Sequence, residues 1–176
     1  MNLGTLTFSP ITDNQDLIAV PIQRELEQGM IGDGIFVAAI DPELADTASF
    51  CEAYSVSLDI STNCIIVEAK RAGKTWHAAC LILASDMIDV NGKVRRHLDA
   101  RKISFAPKET ALALTGMEYG GVTPLGLPKE WPILIDTNVV SHGHLVIGGG
   151  IRGSKIAITP ESLSALQNAT IMDITK

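Results

Sequence analysis

Apolar and polar positions alternate in short blocks along this chain. Leu3, Leu6 and Phe8 mark a short strand over residues 3–8. Residues 13–28 predict a helix over part of their length, with Pro21 at its start or at a kink and Gly29 closing it. Residues 35–40 are an apolar run of strand length. Asp41 then reads as a helix cap, with Pro42 at the first helical position. Leu44, Ala48, Cys51 and Tyr54 or Ser55 keep helical spacing behind it. Cys64-Ile65-Ile66-Val67 is a β-branched strand, residues 69–74 with Gly73 a hairpin turn, and residues 75–84 its partner strand. Asn91 is placed to cap a basic helix reaching about Leu98. Residues 103–106 predict a strand, and Pro107 opens a short helix ended by Gly116. Strands fit at 132–136, 144–147 and 155–158. Thr159-Pro160-Glu161 starts a last helix, and residues 170–174 form a final strand.

Short strands mixed with short helices predict an α/β domain of the mixed, α+β kind rather than a regular doubly wound sheet. The length of 176 residues fits one domain over 1–176. No repeat, linker or low-complexity segment divides it. Hydrophobic residues make up 46% and charged residues 19%, which argues against disorder. No apolar run reaches the roughly 18 residues of a membrane span, and residues 1–10 lack the basic start and apolar stretch of a signal peptide. The expected location is cytoplasmic.

Charge is divided unevenly. Residues 1–69 hold one basic side chain, Arg24, against eleven acidic ones, whereas residues 70–176 hold thirteen basic against nine acidic. Eight of the basic residues fall between Lys70 and Lys102. That stretch is either an electrostatic footprint for phosphates or a solvated hairpin tip and helix face. The three cysteines, Cys51, Cys64 and Cys80, are too widely spaced for a disulfide scaffold, and no Cys-x-x-Cys occurs. His142 and His144 read as a turn entering a strand more readily than as a metal pair. No metal site and no cofactor is expected.

The P-loop and nucleophile-elbow motifs are absent, and Gly148-x-Gly150-x-x-Gly153 has dinucleotide-motif spacing but runs from one apolar strand into another and not into a helix. Two glycine loops remain. Tyr119-Gly120-Gly121-Val122-Thr123-Pro124-Leu125-Gly126 can bring backbone N–H groups close to a ligand, with Thr123 adding a hydroxyl and Pro124 stiffness. Gly148-Gly149-Gly150-Ile151-Arg152-Gly153 can do the same, with Arg152 adding charge. On its own the first reads more readily as a plain structural turn, and the second reads as readily as a tight bulged hairpin.

Taken in order, Leu114-Thr115-Gly116, then Gly120-Gly121-Val122-Thr123-Pro124-Leu125-Gly126, an apolar strand ending at Asp136, and Val146-Ile147-Gly148-Gly149-Gly150-x-Arg152-Gly153 resemble the YbaK/prolyl-tRNA-synthetase-associated family. Ala79-Cys80-Leu81-Ile82-Leu83-Ala84 resembles that family's central strand. The resemblance covers about residues 44–167, with residues 1–40 a divergent part of the same domain. It implies a mixed, mostly antiparallel sheet with a barrel-like core and short surrounding helices. It also implies a trans-editing hydrolase that deacylates mischarged aminoacyl-tRNA at its acceptor end.

An aminoacyl ester is already activated and needs no strong nucleophile, so backbone N–H groups near Gly120 and Gly121 are expected to hold the ester carbonyl and its developing oxyanion. Water attacks, assisted by the terminal ribose hydroxyl. The resemblance implies that Thr123, Pro124, Asp136, Gly148, Gly149, Gly150 and Arg152 surround the aminoacyl group, and the charge distribution leads to the expectation that Lys93, Arg95, Arg96, Arg101 and Lys102 guide the acceptor stem. Asn63 stands where the family carries a lysine, and its amide can donate a hydrogen bond without the charge. Lys70 does not substitute: an offset of seven reverses the face and adds roughly 23 Å along a strand. The alternative is a non-catalytic module that binds aminoacyl-tRNA or a synthetase. No membrane or DNA partner is expected.

Overall fold

The structure, a computed structural model, describes residues 1–176. The chain begins with a small hairpin, β1 (Asn2–Leu3) and β2 (Leu6–Thr7). Residues 3–8 are therefore not one strand. Gly4 takes φ +56° between the two, and a side chain there would press on the Tyr54 carbonyl. After β3 (Ser9–Pro10) and two 3-10 turns comes α1 (Val20–Glu27), with Pro21 in its first turn and Gly29 beyond its end. β4 (Phe36–Ala39) follows. The helix expected from Asp41 onward is split in two. Asp41 caps a 3-10 turn over Pro42–Leu44, and Asp46 then caps α2 (Thr47–Tyr54) by accepting from the N–H groups of Ala48 and Ser49.

β5 (Thr62–Arg71) and β6 (Lys74–Leu83) are joined by Ala72 and Gly73, both at positive φ, as a two-residue hairpin loop requires. The basic turn that follows is capped by Asp89 and not by Asn91. The Asp89 carboxylate accepts from Gly92 and Lys93 N–H, a wide turn spans Val90–Val94, and α3 (Arg95–His97) continues it. The remaining elements are β7 (Lys102–Phe105), α4 (Lys108–Thr115), β8 (Ile133–Asp136), β9 (Leu145–Gly148), β10 (Ser154–Ile158), α5 (Pro160–Ser164) and β11 (Ala169–Met172).

Two larger sheets build the domain. One is antiparallel with the order β3-β4-β10-β9. The other is mixed with the order β11-β8-β6-β5-β7, in which β8 runs parallel to β6 and to β11. Strand alternation sorts the side chains. Leu81, Ile135, Ile147, Ile156 and Ile158 meet in the main core, whereas Val146 and Ala157 pack with Phe8 and Phe50, and Cys80 and Leu134 with Val94 and Ile174.

The sheets do not close into a barrel. They touch at one corner, where Ser61 bridges Val146 and the Thr62 hydroxyl donates to the Val146 carbonyl at 3.0 Å. β7 pairs with Val67–Lys70 and β9 reaches only Ser61 and Thr62, so residues 63–65 of β5 have no strand partner on that side. That open edge becomes a wall of the site.

Candidate functional site

The two glycine loops are interlocked. Glu118 N–H donates to the Gly150 carbonyl at 2.8 Å, and Gly150 N–H donates to the Gly121 carbonyl at 2.7 Å. The Glu118 carboxylate accepts from Arg152 N–H at 2.7 Å, and the Arg152 guanidinium donates to the Tyr119 carbonyl at 3.0 Å. Several of the glycines are required by this docking itself. A Cβ on Gly148 would lie 2.3 Å from the Gly121 carbonyl oxygen, and one on Gly121 would lie 2.6 Å from that of Ile151. Gly120 differs. It is exposed, sits at φ +83°, and a Cβ there would meet only the tip of Arg152 at 3.2 Å and the Ala45 methyl at 3.3 Å.

Beside the docked loops lies a cavity of about 400 Å³. Its walls come from the start of α2 (Ala45, Asp46, Thr47), the open edge of β5 (Asn63, Cys64), the first loop (Tyr119, Gly120, Val122), and Gly148, Arg152 and Lys155 around the second. The N–H groups of Gly120 and Val122 have no acceptor within the chain, so two backbone donors are available at this wall. Gly121 N–H is not available, because it donates to the Glu118 carbonyl at 3.0 Å.

Of the residues singled out from sequence, the structure brings Asn63, Gly120, Gly148 and Arg152 to this cavity. Asn63 is held there by the Thr47 hydroxyl, which donates to its side-chain oxygen at 2.8 Å. Gly121, Gly149 and Gly150 lie buried behind the wall, and Thr123 is fully buried with no partner for its hydroxyl. Pro124 lines a separate cavity of about 30 Å³ beside Glu25 and Leu127. Asp136 is also fully buried. Its two oxygens accept from Asn138 N–H at 2.9 Å and Ile174 N–H at 2.8 Å, which ties the end of β8 to the C-terminal segment.

Two charged cavity groups were not singled out in the sequence. Asp46 looks like an ordinary helix cap, and Lys155 like the first residue of an apolar strand. Lys155 is only 6% exposed, and its amine donates to the Ala45 carbonyl at 2.9 Å. The cavity thus contains an ammonium group, supplied from β10 and not from the Asn63 position on β5. A lone lysine followed by three apolar strand residues was the available signal.

Cys64 is the cavity's thiol. Burial, and secondarily the neighbouring Cys80, pushes it well above the usual thiol range, and burial pushes Cys80 up to about 12. A thiol held protonated is a poor nucleophile. Cys64→Ala should therefore keep deacylation within a few fold of the parent. A folded but inactive variant would show that the sulfur takes part in the chemistry.

The basic stretch resolves into two adjoining grooves, of about 420 and 360 Å³, that share Lys70, Arg101 and Lys102. Arg95 lines the first. Lys93 turns away, its ammonium bound at 2.6 Å to Asp173 and to the Thr175 carbonyl. Arg96 is exposed and borders neither groove. Lys70 pairs with Glu68, and Arg71 with Asp99, whereas Arg95, Arg101 and Lys102 form no ion pair. No three His, Cys, Asp or Glu side chains gather as a metal-ligand group, and no helix is long and apolar enough to cross a membrane.

Comparison with known proteins places these features in a family. The family model of an aminoacyl-tRNA editing domain matches residues 41–166. An Enterococcus faecalis protein described as a candidate Cys-tRNA(Pro)/Cys-tRNA(Cys) deacylase, EbsC, is 25% identical over 125 residues, 70% of this chain and 76% of its own. The uncharacterized Bacillus subtilis protein YwhH is 25% identical over 122 residues, 69% of this chain and 77% of its own. A solved structure described as a candidate trans-editing enzyme for prolyl-tRNA synthetase superposes with a TM-score of 0.73 at 21% identity, over 89% of this chain and 95% of that one, and shows the same fold.

Proposed function

The chain belongs to the aminoacyl-tRNA editing domain family, and on that premise we propose that it is a trans-editing deacylase acting in the cytoplasm on mischarged tRNA. The observation that carries this reading is the cavity beside the interlocked loops, where Gly120 and Val122 offer unpaired backbone N–H groups. An aminoacyl ester is already activated toward water. It needs a held carbonyl and a stabilised oxyanion more than a protein nucleophile. Gly120 is the donor assigned to the carbonyl, with Val122 beside it in place of Gly121. Water attacks, and the terminal ribose hydroxyl assists.

The 3′ end enters over the open edge of β5. The grooves at Lys70, Arg101 and Lys102 lie further along the same strand, roughly 23 Å from Asn63 at about 3.3 Å per residue. They are placed to take phosphates of the acceptor stem. Arg101→Glu combined with Lys102→Glu should raise KM for tRNA and flatten the salt dependence of binding, by about one unit of slope per lost phosphate contact. Arg96→Glu should change both far less. Equal effects, or an unchanged slope in the double variant, would show that the grooves are merely solvated.

The deciding experiment is deacylation of a panel of mischarged tRNAs, including cysteinyl- and alanyl-tRNAs. Hydrolysis of at least one is expected, and it should survive a chelator because no cluster of metal ligands is present. Loss with chelator and rescue by zinc would overturn the mechanism. Tight binding without hydrolysis would favour a carrier or synthetase-docking module, the reading that Asn63 supports, since its side-chain oxygen is engaged by Thr47 and it brings no charge.

A further inference from the structure

Every residue of β10 is buried, and one of them is charged. Removing an ammonium from water costs several kcal/mol unless it is well paired. Lys155 has no carboxylate within ion-pair distance. Its amine donates once, to the Ala45 carbonyl, and lies 5.0 Å from the centre of the Phe50 ring. An ammonium carries three N–H donors, so two have no acceptor in the chain, at a residue that lines the 400 Å³ cavity. A fold that required only a strand residue here would use an apolar one, as β10 does at Ile156, Ala157 and Ile158.

We propose that Lys155 is a substrate-contacting residue whose ammonium donates to the carbonyl oxygen of the bound aminoacyl ester. This rests on the deacylase reading above. The water oxygen bonds to the carbonyl carbon, and the π pair moves to the oxygen held by Lys155 and the Gly120 N–H. Collapse of that intermediate breaks the bond to the ribose oxygen, which leaves with a proton derived from the water. The products are the free amino acid and a tRNA with an intact terminal hydroxyl.

Charge placement sets the orientation. The substrate's own α-ammonium is repelled by Lys155 and Arg152 and attracted by Asp46, whose carboxylate is exposed at the rim. A phosphodiester is bulky and strongly solvated. It suits the outer grooves better than an amine buried to this depth.

Burial lowers the Lys155 amine to about 8. Cys51 and Asp46, on and before α2, act against that lowering, and Arg152 adds to it. The protonated form is the useful one, so the enzymatic rate should fall as pH rises through about 8, opposite in sign to hydroxide-driven hydrolysis of the free ester.

The test is single-turnover hydrolysis of the best mischarged tRNA by the full chain and by Lys155→Met between pH 6 and 9.5, with the uncatalysed rate subtracted and thermal melts in parallel. The variant should lose about a hundredfold in rate, as removal of an oxyanion donor does. It should melt no lower than the parent and lack the decline near pH 8. A folded Lys155→Met within threefold of the parent, or a parent whose rate does not fall between pH 7 and 9.5, overturns the proposal. Should Lys155→Met not fold, Lys155→Ala takes its place, with the same loss of about a hundredfold expected in a folded variant. A parent that hydrolyses nothing in the panel ends the deacylase reading and this proposal with it, whereas hydrolysis indifferent to Lys155 ends only this one.

Discussion

Replacing Gly120 by valine should lower single-turnover deacylation by two orders of magnitude or more while the protein stays folded. Gly120 is exposed at the cavity wall, and its N–H has no partner in the chain. Valine does two things there. Its branches fill space toward Ala45 and Arg152, which a Cβ alone would already approach to 3.3 and 3.2 Å. It also disfavours φ +83°, so the N–H turns away from the position where a carbonyl would sit. The loss of one oxyanion donor typically costs about a hundredfold or more. The strain of a non-glycine residue at positive φ is on the order of 1–3 kcal/mol, small enough for a domain of ordinary stability to remain folded. Rates measured beside melts separate the two effects. A folded Gly120→Val with a near-parental rate would remove Gly120 from the mechanism.

Gly148→Ala should fail in the opposite way, through stability. Its Cβ would lie 2.3 Å from the Gly121 carbonyl oxygen and 2.8 Å from that of Val122. Both are backbone atoms, and they cannot swing aside as the end of a side chain does. The two loops would have to separate, which would disturb the bonds of Gly150 to Gly121 and of Glu118 to Gly150. Overpacking of this kind costs about 1–3 kcal/mol, and a clash with backbone on this scale belongs at the upper end. For a chain of this size that lowers Tm by roughly 6–12 °C. Activity should fall as well, because both loops border the cavity. An unchanged melting temperature would mean that the loops do not hold each other as closely as described.

The contrast between these two glycines explains what the sequence revealed and what it did not. The glycine loops, the proline-led helix starts and the β5–β6 hairpin were all legible, because each depends on residues close together in sequence. Pro21, Gly29, Gly73, Pro107 and Gly116 punctuate the chain where such residues should. The purpose of individual glycines was not legible. Gly121 and Gly148 are needed for a contact between loops far apart in sequence, whereas Gly120, like Val122, keeps an unpaired N–H at the cavity. The family resemblance pointed to Asp136 as a carboxylate near the cleft, and the structure gives its two oxygens to Asn138 and Ile174 N–H, a tether for the chain's last segment. Competing caps misled in a similar way. Asn91 and Asp89 are both good capping residues, and the fold uses Asp89.

Lys155 was hidden for a different reason. A lysine at the start of an apolar run normally marks a strand end in solvent. Here β4 and β9 cover both sides of β10, and α2 delivers Ala45, Asp46 and Phe50 to the same place. None of these relations is local in sequence. The basic stretch divided along similar lines. Arg101 and Lys102 border grooves because β7 pairs with the end of β5, whereas Lys93 is drawn to Asp173, eighty residues away.

The central claim is that the cavity beside the docked loops receives the acyl end of an aminoacyl-tRNA. The most direct measurement is amide chemical-shift mapping by NMR, with the protein titrated by an aminoacyl-adenosine analogue in which an amide replaces the ester. The account predicts the largest shifts at Gly120 and Val122, with smaller ones at Asn63 and Thr47, while the amides around Arg101 and Lys102 stay unmoved because the analogue lacks an acceptor stem. Saturable shifts confined to the basic grooves, or to the small cavity at Pro124 and Leu127, with Gly120 unaffected, would contradict it.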